Sequence, residues 1–247
     1  MTMDTRTMIE ALRAQGYLVE EIVPPSDIPQ ANLYRPYANP WSIFSPWNDC
    51  ALIREVWAEL KEKGAKTLVS ADRLWVLKTL VEQSRALSGE FWEAGVYQGG
   101  TALLLRKLLQ GQAALRMFDT FEGMPETGEF DTHGKGDFND SSLEFVTAVV
   151  GEADNVTYHQ GLVPETFVGL ESSRIAFMHV DLDIHDAVAA SCSFAYPRLL
   201  PGGAMAFDDY GYHTCPGARR AVDEYFADKP ECPLVLPTGQ AVVFKMP

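Results

Sequence analysis

The stretch FWEAGVYQGGT, residues 91–101, joins an apolar strand to a helix through a glycine-rich turn. Gly95 follows the strand, and Gly99 and Gly100 open the next helix. Glycines at such a turn allow a tight reversal and a close approach of a ligand to the backbone. The spacing differs from the GxGxxG of dinucleotide-binding proteins, and no basic residue stands in the turn to bind a phosphate. The stretch predicts the first strand–turn–helix unit of an α/β sheet.

Alternating apolar patterns continue this unit along the chain after residue 89. Strands are predicted at 90–95, 114–119, 155–160, 174–181, 203–207, 232–236 and 241–245. Helices are predicted between them at 99–110, 140–150, 185–196 and 214–228, and before them at 48–62 and 70–87. This order indicates a seven-stranded, mostly parallel sheet with helices on both faces. The last two strands read as a hairpin that adds an antiparallel edge.

The N-terminal part of the chain has a different composition. Residues 1–16 favour a short amphipathic helix, and residues 22–47 combine six prolines with five aromatic residues. Prolines interrupt regular elements, whereas a flexible linker would not be so rich in aromatic side chains. We predict an N-terminal arm and helix over 1–66, as a substrate cap or an oligomer contact, and an α/β domain over 67–247.

Length and charge limit the class of protein. The 247 residues, 47% of them apolar, suit one α/β domain with a substantial core. The net charge of −14 argues against nucleic acid or an anionic membrane as a partner. The four cysteines are scattered without CxxC spacing, which argues against structural zinc and for reduced thiols in a cytoplasm. The charged N-terminus is unlike a signal peptide, and no run of 18 apolar residues predicts a membrane span.

Two acidic residues accompany the glycine turn. Glu93 lies inside the apolar strand, where a carboxylate needs a cationic or hydrogen-bonding partner. The next strand ends at Asp119, 24 residues after Gly95, which is the position of an acid that binds a ribose diol. S-adenosylmethionine carries an amino group and a ribose but no phosphate. The turn therefore fits that cofactor better than NAD.

Two further strands end in acids. The segment RIAFMHVDLDIHD, residues 174–186, contains Asp181, and PGGAMAFDDYG, residues 201–211, contains Asp208 and Asp209. As neighbouring strands they would lie about 4.8 Å apart, with their carboxyl ends facing the same crevice as the glycine turn. Three converging carboxylates repel one another unless they are protonated or neutralised by a cation. Oxygen ligands suit Mg²⁺, with Ca²⁺ or Mn²⁺ as alternatives.

With these residues in view, the chain resembles the macrocin O-methyltransferase family of the TylF/MycF type. The resemblance covers roughly residues 67–245 and rests on FWEAGVYQGGTA, FDTFEGMPE, GLVPETF, HVDLDIHDAVAASCSFAYPRLLPGGAMAFDDYG and CPGARRAVDEYF. It implies the Rossmann-like fold of class I methyltransferases, transfer of a methyl group from S-adenosylmethionine, a bound Mg²⁺ and a dimer or larger homo-oligomer.

The resemblance also implies roles for individual residues. Those expected to bind the cofactor are Thr67, Glu93, Gly95, Tyr97, Asp119, Thr120, Phe121, Glu122, Ser142 (or its neighbour Ser141), Gly161 and Asp181. Glu93 and Gly95 would hold the methionine moiety, and Asp119 the ribose. Asp181, Asp208 and Asp209 would bind the metal.

The run after Asp181 departs from the family pattern. His185 and Asp186 stand where the sugar-modifying enzymes tend to have tyrosine and glutamate. Because Asp186 and Tyr210 are expected near the acceptor, the substrate can differ from a macrolide sugar.

The reaction expected from these residues is methyl transfer to a hydroxyl of a small molecule, in a sugar or glycosylated natural product. The metal would orient the hydroxyl and lower its pKa. Asp181, His185 and His213 are candidates for the base. Asp183 or His185 is expected to start the helix that follows. Residues 126–140 are predicted to form a lid or a plain solvated loop.

Three alternatives remain open on sequence alone. A catechol-type O-methyltransferase would share the fold and metal, and the aromatic arm would suit a flat acceptor. A non-catalytic binding protein on the same fold has no need of the clustered acids. An NAD-dependent dehydrogenase is disfavoured because GxGxxG and a Tyr-x-x-x-Lys pair are absent from the sequence.

Overall fold

A computed structural model describes residues 46–247. The helix predicted at 1–16 and the arm predicted at 22–47, apart from its last two residues, lie outside the described residues. The division of the chain at residue 66 stays a prediction.

Seven strands form one sheet in the order β3-β2-β1-β4-β5-β7-β6. They are β1 (Glu90–Ala94), β2 (Leu115–Asp119), β3 (Val156–Gln160), β4 (Ile175–Val180), β5 (Leu199–Phe207), β6 (Leu234–Val235) and β7 (Ala241–Phe244). Strands β1 to β5 pair in parallel, and β7 pairs antiparallel with both β5 and β6. The predicted parallel sheet with an antiparallel terminal hairpin is confirmed.

The strand whose start differs most from the prediction is β5. β5 begins at Leu199 rather than at residue 203. The register between β4 and β5 shifts after Ile175↔Leu199, so that Phe177 pairs with Ala204. A bulge of this kind lets Pro201 and Gly202, which suggest a turn in the sequence, remain within the strand.

In the described part of the chain, six α-helices cover the sheet: α1 (Ala51–Glu62), α2 (Ala71–Ser84), α3 (Gly100–Leu109), α4 (Leu143–Val150), α5 (His185–Ala195) and α6 (Pro216–Phe226). The first four share one apolar core, and α5 and α6 share a second. Every residue of β4 is buried, as expected for a central strand covered on both sides. Among residues 46–247, no helix combines the length and the apolar character needed to cross a membrane.

Candidate active site

A cavity of about 450 Å³ opens at the carboxyl ends of the parallel strands. Its lining includes Gly95 and Tyr97 after β1, Asp119 at the end of β2, Asp181 after β4, and Asp209 after β5. Open α/β sheets bind ligands at this edge, next to the strand where the order reverses. The volume is in the range of small-molecule sites. The sheet therefore gathers most of the strand-end residues of the sequence motifs around one cavity.

Asp119 organises the glycine turn. Its Oδ2 accepts hydrogen bonds from the backbone N–H groups of Val96 (2.6 Å) and Tyr97 (2.9 Å), and its Oδ1 accepts one from Phe121 (2.7 Å). Tyr97 and Phe121 both have positive φ, at 51° and 55°. A carboxylate that accepts three backbone bonds can hold such turns in place. Binding of ribose by Asp119 stays a prediction that would use its remaining lone pairs.

Gly95 is required by the approach of two strand ends. It has φ of +87°, and a Cβ atom at this position would collide with the carbonyl oxygen of Asp181. The backbone N–H of Asp181 donates to Ala94 O at 2.8 Å, which keeps the ends of β1 and β4 together. Gly95 thus sets the distance between the turn and the acidic strand end, in addition to any contact with a ligand.

Beneath the cavity lies a buried chain of ionisable groups. His179, on β4, is directly opposite Glu93 on β1 in the strand register. Its Nδ1 lies 3.2 Å from Glu93 Oε1, and its Nε2 lies 3.4 Å from Asp208 Oδ1. Asp208 also accepts a hydrogen bond from Gln240 Nε2 at 2.8 Å and forms an ion pair with Arg73 from α2. His179 is therefore the partner that was expected for Glu93 inside its apolar strand.

Hydrogen bonds and ion pairs among these buried ionisable groups decide which of them carry charge. Burial alone would lower the pKa of His179, but hydrogen bonds to Asp208 and Glu93 raise it to about 10. Burial favours protonation of Asp208, but the hydrogen bond from His179 and the charge of Arg73 outweigh it and lower the pKa of that carboxyl. An ionised Asp208 therefore lies between two cations.

Asp181 and Asp209 stand in the opposite situation. Burial raises the pKa of Asp181 well above its usual range, and the charge of Asp208 raises it further. Burial and the charge of Asp181 do the same for Asp209. These two carboxyls face the cavity. A bound cation would offset the repulsion between them and favour their ionised forms.

The three predicted metal ligands are therefore placed differently. Ligand atoms of His179, Asp181 and Asp208 lie within 4.8 Å of one another. Asp208 is buried and does not line the cavity, whereas its ion-pair partner Arg73 lines it together with Asp181 and Asp209. One oxygen of Asp209 accepts a hydrogen bond from the backbone N–H of Asp183 at 2.9 Å.

Thr67, Thr120 and Gly161 line the part of the cavity beside the glycine turn. Ser141 lines it as well and donates a hydrogen bond to the carbonyl of Tyr97. Ser142 instead is exposed and caps α4, accepting from Phe145 N at 3.1 Å. Of the two serines expected to bind the cofactor, the structure brings Ser141 to the cavity.

Besides Ser142, three residues predicted to bind cofactor are not among those that line the cavity. Phe121 is buried in the core, and Glu122 is exposed. Glu93 lies below the lining, and its Oε2 has no hydrogen-bond partner among the described residues. Contact of these side chains with the cofactor stays a prediction.

The residues predicted around the acceptor divide in the same way. Asp186 lines the cavity. His185 begins α5, as predicted, and its ring nitrogens face Asp186 (2.8 Å) and Glu224 (3.3 Å) outside the lining. Tyr210 donates to Asp223 at 2.7 Å, also outside the lining, and His213 is exposed. Among the three candidate bases, Asp181 is the one that the structure brings to the cavity.

Residues 126–140 contribute to the wall of the cavity. Asp131 Oδ1 accepts a hydrogen bond from the backbone N–H of His185 at 2.8 Å, and Thr132 donates to the carbonyl of Thr214. Glu126, His133 and Phe138 contribute to the lining. The segment therefore contacts both the beginning of α5 and the loop before α6.

Two functional residues were missed in the sequence. His179 is a histidine inside an apolar strand, a signal that a buried partner exists, and Glu93 on the neighbouring strand is that partner. Arg73 offered no comparable signal, because its position over Asp208 depends on how α2 packs against the sheet.

Comparison with known proteins agrees with the fold and shows the family. The model of the macrocin O-methyltransferase (TylF) family matches residues 54–234. The 8-demethyl-8-(2,3-dimethoxy-alpha-L-rhamnosyl)-tetracenomycin-C 4'-O-methyltransferase of Streptomyces olivaceus is 32% identical over 65% of this chain and 67% of its own. The mycinamicin III 3''-O-methyltransferase of Micromonospora griseorubida is 26% identical over 68% of this chain and 75% of its own.

Solved structures show the same fold. The O-methyltransferase NovP superposes with a TM-score of 0.66 at 23% identity, over 74% of this chain and 83% of its own. The calicheamicin methyltransferase CalS11 superposes with a TM-score of 0.63 at 19% identity, over 82% of this chain and 94% of its own.

The fold, the cavity and these relatives define an S-adenosylmethionine-dependent O-methyltransferase. Within that class, the chain belongs to the macrocin O-methyltransferase (TylF) family. Membership decides against the dehydrogenase and the non-catalytic binding protein.

Proposed function

We propose that this enzyme methylates a hydroxyl of a sugar on a glycosylated natural product, with a divalent cation bound beside the acceptor. The observation that carries the proposal is the pair of cavity-facing carboxyls, Asp181 and Asp209, next to the glycine turn. A sugar acceptor is supported by the relative from Streptomyces olivaceus, whose name includes a rhamnosyl group.

The charges of the buried cluster fit a divalent cation. Among residues 46–247 the cluster and the adjoining cavity wall contain five carboxyls and two cationic side chains: Glu93, Asp181, Asp183, Asp208 and Asp209 with His179 and Arg73. If all were ionised, three negative charges would be left over, an excess that a divalent cation would reduce. Oxygen donors from Asp181 and Asp209 are the type that this ion prefers. Asp208 would act mainly through its charge, because both of its carboxylate oxygens already contact Arg73, His179 or Gln240.

When bound, S-adenosylmethionine supplies the activated methyl group, and the divalent cation supplies positive charge beside the acceptor oxygen. Asp181 takes the proton from the acceptor hydroxyl, because among the candidate bases it is the one that lines the cavity. The turn held by Asp119 positions the cofactor, and the segment 126–140 limits access of water.

The test is methyl transfer to a matched panel of acceptors. The panel contains a rhamnosylated aromatic polyketide, its aglycone and a simple catechol, each with and without EDTA. We expect methylation of the glycoside, loss of activity with EDTA and recovery with Mg²⁺. Preferential methylation of catechol would overturn the sugar acceptor, and full activity after chelation and dialysis would overturn the metal.

A variant pair locates the cation. Asp209→Asn should lower activity at least about 100-fold, since it removes a charged ligand beside the reacting oxygen. Asp154→Asn, an exposed aspartate in the loop before β3, is the matched control and should retain wild-type activity.

A further inference from the structure

A second group of potential metal ligands lies at the junction between the segment 126–140 and the sheet. It consists of His133 from that segment, Asp183 after β4 and Cys215 before α6. Cys215 Sγ lies 3.2 Å from Asp183 Oδ1 and 3.8 Å from His133 Nε2, and the histidine and aspartate atoms are 3.7 Å apart. In the sequence these residues are 32 to 82 apart, which is why spacing gave no sign of them.

These distances match a tetrahedral site. Zinc bonds of about 2.3 Å to sulfur and about 2.0–2.1 Å to nitrogen and oxygen, at tetrahedral angles, separate the ligand atoms by about 3.4–3.6 Å. The three observed separations differ from that range by a few tenths of an ångström. One ion could therefore contact all three atoms after small side-chain movements.

A hydrogen bond to the far side of the histidine is a second, independent observation. His133 Nδ1 lies 3.2 Å from Asp137 Oδ2. The same oxygen accepts from the backbone N–H of Gly134 at 3.0 Å, which fixes the carboxylate. In this arrangement Nδ1 donates to Asp137, and the lone pair of Nε2 points to Asp183 and Cys215. Metal-binding histidines are commonly held by a carboxylate in this manner.

The sulfur and carboxylate are also fixed in place. Cys215 is buried at the beginning of α6, and Asp183 adopts a positive φ of 62° that directs it toward the cysteine. All three residues line the cavity, so that a fourth position is open on the cavity side.

We propose that His133, Asp183 and Cys215 form a binding site for Zn²⁺ or a similar borderline-soft divalent ion, which ties the segment 126–140 to the end of β4 and the beginning of α6. The mixed nitrogen, sulfur and oxygen donors separate this site from the oxygen donors Asp181 and Asp209, which suit a harder ion. Binding releases the thiol proton of Cys215 to solvent. The proposal does not depend on the identity of the acceptor.

The consequence concerns access to the cavity. The segment 126–140 is joined to the rest of the protein here by the hydrogen bonds of Asp131 and Thr132. An ion shared between His133 and Cys215 adds a stronger link at the same junction. Occupancy of the site should therefore slow the entry and exit of cofactor.

Cobalt titration of the untagged, full-length chain tests the site, since a thiolate ligand to Co²⁺ gives a charge-transfer absorption band. After removal of metals with EDTA, we expect this band to saturate with one equivalent of Co²⁺ and to disappear when Zn²⁺ is added. Cys215→Ser should lose the band, and Cys232→Ser, at an exposed cysteine, should keep it. Absence of the band from wild type, or its survival in Cys215→Ser, would overturn the proposal.

A change outside the ligand set tests the carboxylate–histidine pair. Asp137→Asn should weaken Zn²⁺ binding about 10- to 100-fold. Glu129→Gln, at an exposed acid of the same segment, is its matched control and should bind as wild type. Equal affinity of the two variants would contradict the role of Asp137.

Discussion

The guanidinium of Arg73 forms a buried ion pair with the carboxylate of Asp208, a residue 135 positions later in the chain. Arg73 lies in the first part of α2, and its guanidinium carbon is 5.0 Å from the centre of the Tyr212 ring. Burial would lower the pKa of Arg73, but the charge of Asp208 raises it, so the arginine stays ionised. The packing of α2 and the charge of the site are therefore coupled.

Arg73→Met should destabilise the protein strongly, because Asp208 would lose a cation within the core. Breaking a buried pair by removing one partner costs about 3–5 kcal/mol. The free energy of unfolding in urea measures the loss. Lys135→Met, which removes an exposed pair with Glu126, is the control and should leave stability unchanged. Equal stability of the two variants would show that Arg73 does not neutralise Asp208.

Asp209→Asn should raise the melting temperature of metal-free protein while reducing the stabilisation given by Mg²⁺. The change removes a buried carboxyl that Asp181 repels, and the amide oxygen can still accept the hydrogen bond from Asp183 N. Thermal unfolding with EDTA and with added Mg²⁺ measures both effects. If Mg²⁺ raised the melting temperature of this variant as much as that of wild type, Asp209 would not be a ligand.

Gly95→Ala should abolish binding of S-adenosylhomocysteine and lower stability. The added Cβ meets the carbonyl of Asp181, and the positive φ adds strain. Gly111→Ala is a matched control, since φ there is +76° but nothing lies within 4 Å of the new atom. That variant should lose only about 1–2 kcal/mol and bind as wild type. Calorimetry with S-adenosylhomocysteine separates them, and similar affinities would contradict the close approach of β1 and β4.

His179 should make stability depend on alkaline pH. Its pKa is raised from 6.5 to about 10 in the folded protein, so its contribution is complete below pH 6.5 and is lost as pH rises through 10. His179→Gln should be less stable at neutral pH, and its difference from wild type should shrink toward pH 10. Urea unfolding across this range measures the difference. A constant gap between the two proteins would show that His179 is not charged in the fold.

The sequence predicted the sheet well because its signals are local. Apolar strands alternate with helical periodicity, and the glycine turn at 95–100 marks the first crossover. Asp119, Asp181 and Asp209 line the cavity, as expected, because parallel strands place their carboxyl ends at the same edge of the sheet. The cofactor class followed from the same residues, and the family agrees with it.

The sequence could not assign roles within this group of acids. Asp208 and Asp209 are neighbours in the chain, but Asp208 faces Arg73 and His179 while Asp209 faces the cavity. That difference depends on which side of the strand end each side chain takes and on what packs there. Two other predicted residues also lie outside the cavity lining, because their side chains contact α6. His185 contacts Glu224, and Tyr210 donates a hydrogen bond to Asp223.

By itself, then, the sequence determined the order of strands and helices, the glycine turn and the acidic strand ends, because each depends on neighbouring residues and on a fixed backbone period. Only the tertiary structure decided the charge of the site and the meeting of His133, Asp183 and Cys215. Contacts between residues 32 to 135 positions apart depend on how helices and loops pack on the sheet, and no local pattern encodes that packing.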